Sequence, residues 1–104
     1  MKRGQIWWAH IVGPAGRRPV LILSRDAMPP AHQEITVAYL TSTIRHRPVE
    51  VLLTRADGVY KDCVVNLDAI NTIPKSWLKS LMCTLSPAKM DEVKNADLEA
   101  FDMK

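Results

Sequence analysis

The stretch Ile6-Trp7-Trp8-Ala9-His10-Ile11-Val12, then Gly13-Pro14-Ala15-Gly16-Arg17-Arg18, then Pro19-Val20-Leu21-Ile22-Leu23 decides the fold. Its two flanks are apolar and rich in β-branched and aromatic residues, while Gly13, Pro14 and Gly16 punctuate the middle. Breakers joining two β-forming runs read as a turn between neighbouring strands, not as a strand feeding a helix. Pro19 is tolerated at the head of the second strand because its missing N–H need not interrupt the ladder there. Adjacent strand residues face opposite sides, so Trp7 and Trp8 cannot share one simple core. One is expected inside and the other on the outer face, a helix or a partner.

Outward from this pair the same pattern continues. Residues 25–33, with Pro29-Pro30, read as a loop, and residues 35–41 as a third strand. Residues 48–53 form a fourth strand, and Asp57-Gly58 is a strong turn signal. Residues 63–67 are expected as a fifth strand and 70–73 as a sixth, stopped by Pro74. One helical turn is expected over 77–81, with a last short strand at 81–85. Ser86 can cap a final helix, Pro87 suits its first position, and no breaker follows through Phe101. At 100° per residue Met90, Val93, Ala100 and Phe101 fall on one stripe, which Asp97 shares. Six or seven short strands followed by one helix predict a mainly β, strongly curled antiparallel barrel with a C-terminal α-helix. No long helix separates consecutive strands and no glycine-rich phosphate loop is present, which excludes a Rossmann unit.

The chain has 104 residues, 47% of them apolar and 24% charged, enough for one small domain over residues 1–104. A domain of this size hides only roughly 60–65% of the surface of its unfolded chain, so a partner, itself or another protein, is expected. No apolar run approaches the roughly 20 residues of a membrane span, and the short apolar stretch behind Lys2-Arg3 does not make a secretory leader. A cytoplasmic location follows as an expectation. Cys63 and Cys83 form no metal-type pair and read as small buried hydrophobes. The net charge of +3 is uneven: residues 1–55 carry eight basic and three acidic side chains, and seven of the eight are arginine. Arginine suits fork-like recognition of phosphate, so a polyanion is one expected partner; a solvated arginine-rich surface is the other reading.

The chemistry is bounded first by what is missing. There is no His-x-x-x-His or Cys-x-x-Cys pair, no paired acidic cluster of the Mg²⁺-binding kind and no nucleophile elbow, so no metal or other cofactor is expected. A reaction that asks little of the protein fits such a chain. Cleavage of RNA through its own 2′-hydroxyl is one, because the substrate supplies a nucleophile already beside the phosphorus. The protein must align that oxygen, move protons and stabilise charge on the phosphoryl oxygens.

Arg18 suits charge stabilisation, since a glycine-bearing loop enters a rigid strand there; a surface ion pair with Glu34 or Glu50 is the plainer reading. Arg17 suits a backbone phosphate. Thr41, followed by Ser42, ends the third strand and can hold a phosphoryl oxygen or simply satisfy a turn. Arg45, His46 and Arg47 form a basic turn suited to backbone contacts. Asn66 and Asp68, two apart, share a side if the strand runs on; Asn66 can read a base edge, and Asp68 can orient a hydroxyl or cap a turn. His10 and His46 titrate in a useful range but have no identifiable partner in the sequence. Trp7, Trp8, Tyr39 and Trp77 can stack on bases or serve as core.

These residues carry a family resemblance. Arg3-Gly4-Gln5-Ile6-Trp7-Trp8-Ala9, Gly16-Arg17-Arg18-Pro19-Val20-Leu21-Ile22-Leu23-Ser24, Val37-Ala38-Tyr39-Leu40-Thr41-Ser42 and Lys61-Asp62-Cys63-Val64-Val65-Asn66-Leu67-Asp68 resemble the MazF/PemK toxins. So do Thr72-Ile73-Pro74-Lys75 and Leu85-Ser86-Pro87, in order over nearly the whole chain. The resemblance implies a bacterial toxin of a toxin–antitoxin pair, with an SH3-like barrel and a C-terminal helix, acting as a homodimer. It implies metal-independent cleavage of single-stranded RNA at short motifs, leaving a 2′,3′-cyclic phosphate and a 5′-hydroxyl. It also implies neutralisation by an antitoxin whose otherwise disordered segment blocks the RNA groove. The family's catalytic arginine and threonine fall on Arg18 and Thr41, and the arginine–aspartate pair of one branch falls on Asn66 and Asp68, where only the aspartate is kept. The chain departs from the family in a shorter loop at residues 11–17 and in Asn71-Thr72-Ile73-Pro74, where Arg-Thr-Ile-Asp is frequent. Transfer RNA is a further substrate class that the resemblance allows. Two alternatives remain at this point: a related toxin that poisons DNA gyrase with the same barrel, and a non-catalytic SH3-like binding module.

Overall fold

A computed structural model describes residues 1–14, 16–26 and 31–102. Six strands, β1 (Gln5–Ile11), β2 (Gly16–Ile22), β3 (Glu34–Thr41), β4 (Glu50–Leu53), β5 (Cys63–Pro74) and β6 (Leu78–Thr84), precede one helix, α1 (Pro87–Ala100). The strands form one curled sheet in the order β4-β5-β3-β2-β1-β6, with every neighbouring pair antiparallel. This is the mainly β architecture with a C-terminal helix that the spacing of apolar runs predicts.

Three expectations need correction. The expected fifth and sixth strands are one long strand, β5, whose first residues pair with β4 and whose length pairs with β3. Asp68 and Ala69, which look like a break in sequence, stay in the strand as an irregular stretch of β5 between the pairs Leu40–Val65 and Ala38–Ile70, where β5 carries more residues than β3. The helical turn expected at 77–81 is a 3₁₀ turn at Lys75–Trp77 instead. Strand β6 begins at Leu78 because the free edge of β1 offers it partners from Ala9 onward, and sheet pairing overrides local propensity. On α1, Val93 and Ala96 are the buried positions and Met90 and Ala100 pack against them, whereas Phe101 is 59% exposed. The real stripe is thus rotated towards Ala96, and half-buried Asp97 sits at its margin. The helix starts as expected, with the Ser86 hydroxyl accepting from the Lys89 N–H at 3.1 Å. Residues 27–30 of the expected 25–33 loop, and Ala15 of the turn before β2, lie outside the described residues.

Curling gives the sheet two buried sides. Ile6, Leu21, Leu40, Leu53, Val65 and Leu67 pack with Val93 and Ala96 of α1. Ala9, Val20, Ile22, Val37 and Ile73 form the second cluster, against which Trp7, Tyr39 and Trp77 pack. The two neighbouring tryptophans therefore do part company, and Trp8 is left to face a surface cleft.

Two local devices hold the connections beside that cleft. Gly58 has φ 102°, and a Cβ placed there would lie 2.7 Å from the Cβ of Cys83. The β4–β5 connection thus closes against β6 through a position that only glycine fits. The β3–β4 connection is fastened by Glu50, whose side chain is 3% exposed. Its carboxylate accepts from the Arg45 backbone N–H at 3.0 Å and from the Arg47 guanidinium at 3.2 Å. Burial alone would push the Glu50 carboxyl up, but these hydrogen bonds and the Arg47 charge outweigh it and hold the group below its ordinary 4.5.

Gly58→Ala is expected to cost about 2–3 kcal/mol in denaturant unfolding, from left-handed strain plus the contact with Cys83. Gly13→Ala, with φ 107° and open space around it, is expected to cost only about 1–2 kcal/mol. Because the Glu50 carboxyl is depressed, its stabilisation is present above pH 4.5 and lost as pH falls through its folded value. Unfolding curves should therefore show Glu50→Gln less stable than the parent at pH 7, with the gap narrowing below pH 4.5.

Candidate active site

The register of the sheet brings the start of β2 beside the end of β3. Val20 pairs with Tyr39, Leu21 with Ala38 and Ile22 with Val37. Carried two residues further, the same register sets Arg18 opposite Thr41 and gives both side chains the side of the sheet on which Tyr39 stands. A cleft of about 160 Å³ opens at this end, lined among others by Arg17, Arg18, Thr41, Ser42, Trp8 and Tyr60.

Arg18 is half-buried, with its guanidinium carbon 5.7 Å from the centroid of the Tyr39 ring. Among the described residues it makes no ion pair. The plainer reading of Arg18 as a partner of Glu34 or Glu50 is thereby corrected: Arg47 and the Arg45 backbone already occupy the Glu50 carboxylate. The Thr41 Oγ1 accepts the Thr43 backbone N–H at 3.2 Å. That bond uses the oxygen as an acceptor and leaves the hydroxyl proton free to be donated into the cleft. Arg17 is exposed and stands 4.5 Å from the Trp8 ring centroid, and Ser42 is exposed beside Thr41.

Cys63 also lines the cleft and could be mistaken for a nucleophile. Burial first, then the charge of Asp62 and the neighbouring Cys83, pushes its thiol up to about 11. At neutral pH it is a protonated core residue, as the sequence suggests, and Cys83 beside it is half-buried and likewise raised by burial.

The remaining candidates gather elsewhere. Asn66 and Asp68 both lie in β5, within the stretch where its pairing with β3 is irregular, and the Asn66 Oδ1 accepts the Asp68 N–H at 3.0 Å. The Asp68 carboxylate lies 3.7 Å from the Arg47 guanidinium, which also pairs with Glu50. Asn66, Asp68, Arg45, His46 and Arg47 thus lie outside the cleft lining, and Arg47 is already engaged by two carboxylates. His46 takes a left-handed backbone, φ 53°, and exposed His10 pairs across the ladder with Arg17. Tyr60 is the cleft residue that sequence reasoning passed over. It lies between a turn and a strand, where no periodicity marks it; its one signal is that it is the only aromatic ring in the connection of residues 54–62. Among the described residues, no three His, Cys, Asp or Glu side chains gather where they could hold a metal ion.

Residues 2–100 match the family model of the PemK-like, MazF-like toxin of type II toxin–antitoxin systems. The chain is 40% identical over 93 residues to the probable endoribonuclease MazF2 of Mycobacterium tuberculosis, covering 88% of this chain and 89% of the relative. It is 35% identical over 101 residues to the probable endoribonuclease MazF5 of the same organism, covering 96% and 92%. Among solved structures, the M. tuberculosis toxin MazF-mt6 superposes with a TM-score of 0.87 at 31% identity, covering 96% of this chain and 98% of that one. A mycobacterial endoribonuclease in complex with its cognate antitoxin gives a TM-score of 0.89 at 28% identity, covering 100% and 97%. With its fold and nearly its full length matched, the chain belongs to the PemK-like, MazF-like toxins of type II toxin–antitoxin systems.

Proposed function

We propose that this toxin, an endoribonuclease like the relatives it matches, cuts single-stranded RNA in the cleft between β2 and β3 without a metal ion, with Arg18 and Thr41 as its catalytic residues. The observation that carries the assignment is a guanidinium that has no carboxylate partner among the described residues and shares one cleft with a hydroxyl whose oxygen accepts the Thr43 N–H, leaving its proton to be donated.

The RNA supplies the nucleophile. Its 2′-oxygen attacks the adjacent phosphorus as the 2′-hydroxyl loses its proton, the bond to the 5′-oxygen breaks, and that oxygen leaves with a proton. The products are a 2′,3′-cyclic phosphate and a 5′-hydroxyl. Negative charge grows on the non-bridging oxygens in the transition state, so a preorganised cation contributes most there. Arg18 meets that need because, among the described residues, no carboxylate must first release it, and its planar guanidinium offers several N–H donors to those oxygens. The Thr41 hydroxyl donates to one non-bridging oxygen while its own oxygen is held by the Thr43 N–H. Arg17 and Ser42 line the same cleft and contact the backbone of the bound strand.

The protein acts as a homodimer neutralised by a cognate antitoxin. The supports are the solved toxin–antitoxin complex of its mycobacterial relative and the exposed apolar side chains Leu81 and Phe101, which a partner would cover. Cuts at short sequence motifs, arrest of translation and a cytoplasmic site of action complete the reading.

Arg18→Ala, checked for folding by circular dichroism, is expected to lose about 10²–10³-fold in single-turnover cleavage. Thr41→Ala should lose less, about tenfold, and Thr41→Ser should recover most of it. Cleavage should proceed at full rate in excess EDTA. A folded Arg18→Ala protein that cuts at the parent rate removes Arg18 from this role, and activity abolished by EDTA and restored by Mg²⁺ removes the metal-free mechanism.

A further inference from the structure

We infer that Tyr60, backed by Trp8, is the platform on which one base flanking the scissile phosphate stacks, and that it is a specificity-determining residue of this nuclease. The inference rests on the endoribonuclease reading above and goes beyond it by assigning base selection to a named ring.

Five aromatic rings surround this part of the molecule, and their fates differ. Trp7, Tyr39 and Trp77 pack against the second core cluster. Trp8 and Tyr60 instead line the cleft that contains Arg18 and Thr41. Their ring centroids are 5.0 Å apart with the planes tilted by 57°. The Tyr60 residue is 43% exposed, and its hydroxyl has no hydrogen-bond partner among the described residues. A cation attends each ring: the Arg17 guanidinium is 4.5 Å from the Trp8 centroid, and the Lys61 Nζ is 5.3 Å from that of Tyr60.

This is the chemistry that single-stranded RNA calls for. Unpaired bases stack on aromatic faces, and the adjoining phosphates are drawn by neighbouring cations. The platform is also held in place. Val59 before Tyr60 is 3% exposed and Cys63 after it is 1% exposed, while Gly58 is pressed against Cys83. An exposed ring fixed between two buried anchors loses little freedom on binding, so the stacking free energy is not consumed in ordering a loop. With the scissile phosphate between Arg18 and Thr41, the base reaching Tyr60 is that of an adjacent nucleotide, and one ring selects at one position.

The test maps product ends from an RNA pool randomised around the cut, for the parent, Tyr60→Ala and Tyr60→Phe. Tyr60→Ala should lower kcat/KM by about 5- to 100-fold on the preferred sequence. It should also flatten the base preference at a single flanking position, leaving the other positions unchanged. Tyr60→Phe keeps the ring and should retain both rate and preference, which guards against a merely structural effect. An abasic nucleotide at the affected position should cost the parent a similar factor and cost Tyr60→Ala nothing more. If the parent cuts RNA but Tyr60→Ala keeps the parental preference, or if the abasic penalty is equal in both proteins, Tyr60 does not read a base. If the parent itself yields no cyclic-phosphate ends, the nuclease reading falls and takes this one with it.

Discussion

The antiparallel register between β2 and β3 is the constraint on which the site depends. It is pinned by the ladder pairs from Val20–Tyr39 to Ile22–Val37, all residues that are buried or packed on a core. A slip by one residue would turn Val20, Ile22 and Val37 out of their cluster and would turn Arg18 away from Thr41 at the same stroke. Core burial and site geometry are thus one decision taken by the same hydrophobic pattern. The proposed catalytic pair needs no loop to position it, because each member lies in a strand already held on both sides.

Electrostatic pairing then separates residues that look alike. Residues 1–55 carry seven arginines, but they do not present seven free charges. Arg47 is committed to Glu50 and Asp68, and the Arg3 guanidinium donates to the Leu23 carbonyl at 2.9 Å. Arg17 rests on Trp8 and Arg18 near Tyr39, both beside aromatic rings and not beside carboxylates. An aromatic face steadies a guanidinium at a cost well below that of breaking a carboxylate pair, so these two remain available to phosphate. Glu50 spends its buried carboxylate on fastening the β3–β4 connection.

The sheet and the helix were legible in the sequence because alternating and continuous apolar runs are long-range statements about burial. Arg18 and Thr41 were legible as strand ends, and the turn at Asp57-Gly58 through its glycine. What failed was whatever depends on a neighbour distant in sequence. Asp68 and Ala69 look like a break until β3 is seen to pair with β5 on both sides of them, and residues 78–81 look like a helical turn until β1 offers an edge. Arg47 looks free until Glu50 and Asp68 are seen to pair with it, and nothing local in sequence tells that Asn66 and Asp68 stand outside the lining of the Arg18 cleft. Tyr60 was invisible for the same reason, since its meaning comes from Trp8 and Arg17, far away in the chain.

The central claim is that one phosphate sits between the Arg18 guanidinium and the Thr41 hydroxyl. A crystal structure with an RNA strand carrying a single 2′-deoxy nucleotide at the cut site, which removes the nucleophile and preserves the phosphate, tests it directly. The account predicts the Arg18 guanidinium and the Thr41 hydroxyl both within hydrogen-bonding distance of non-bridging oxygens of that one phosphate. A scissile phosphate seated instead on the Arg47–Asp68 side of the sheet, with Arg18 and Thr41 facing solvent, would contradict it.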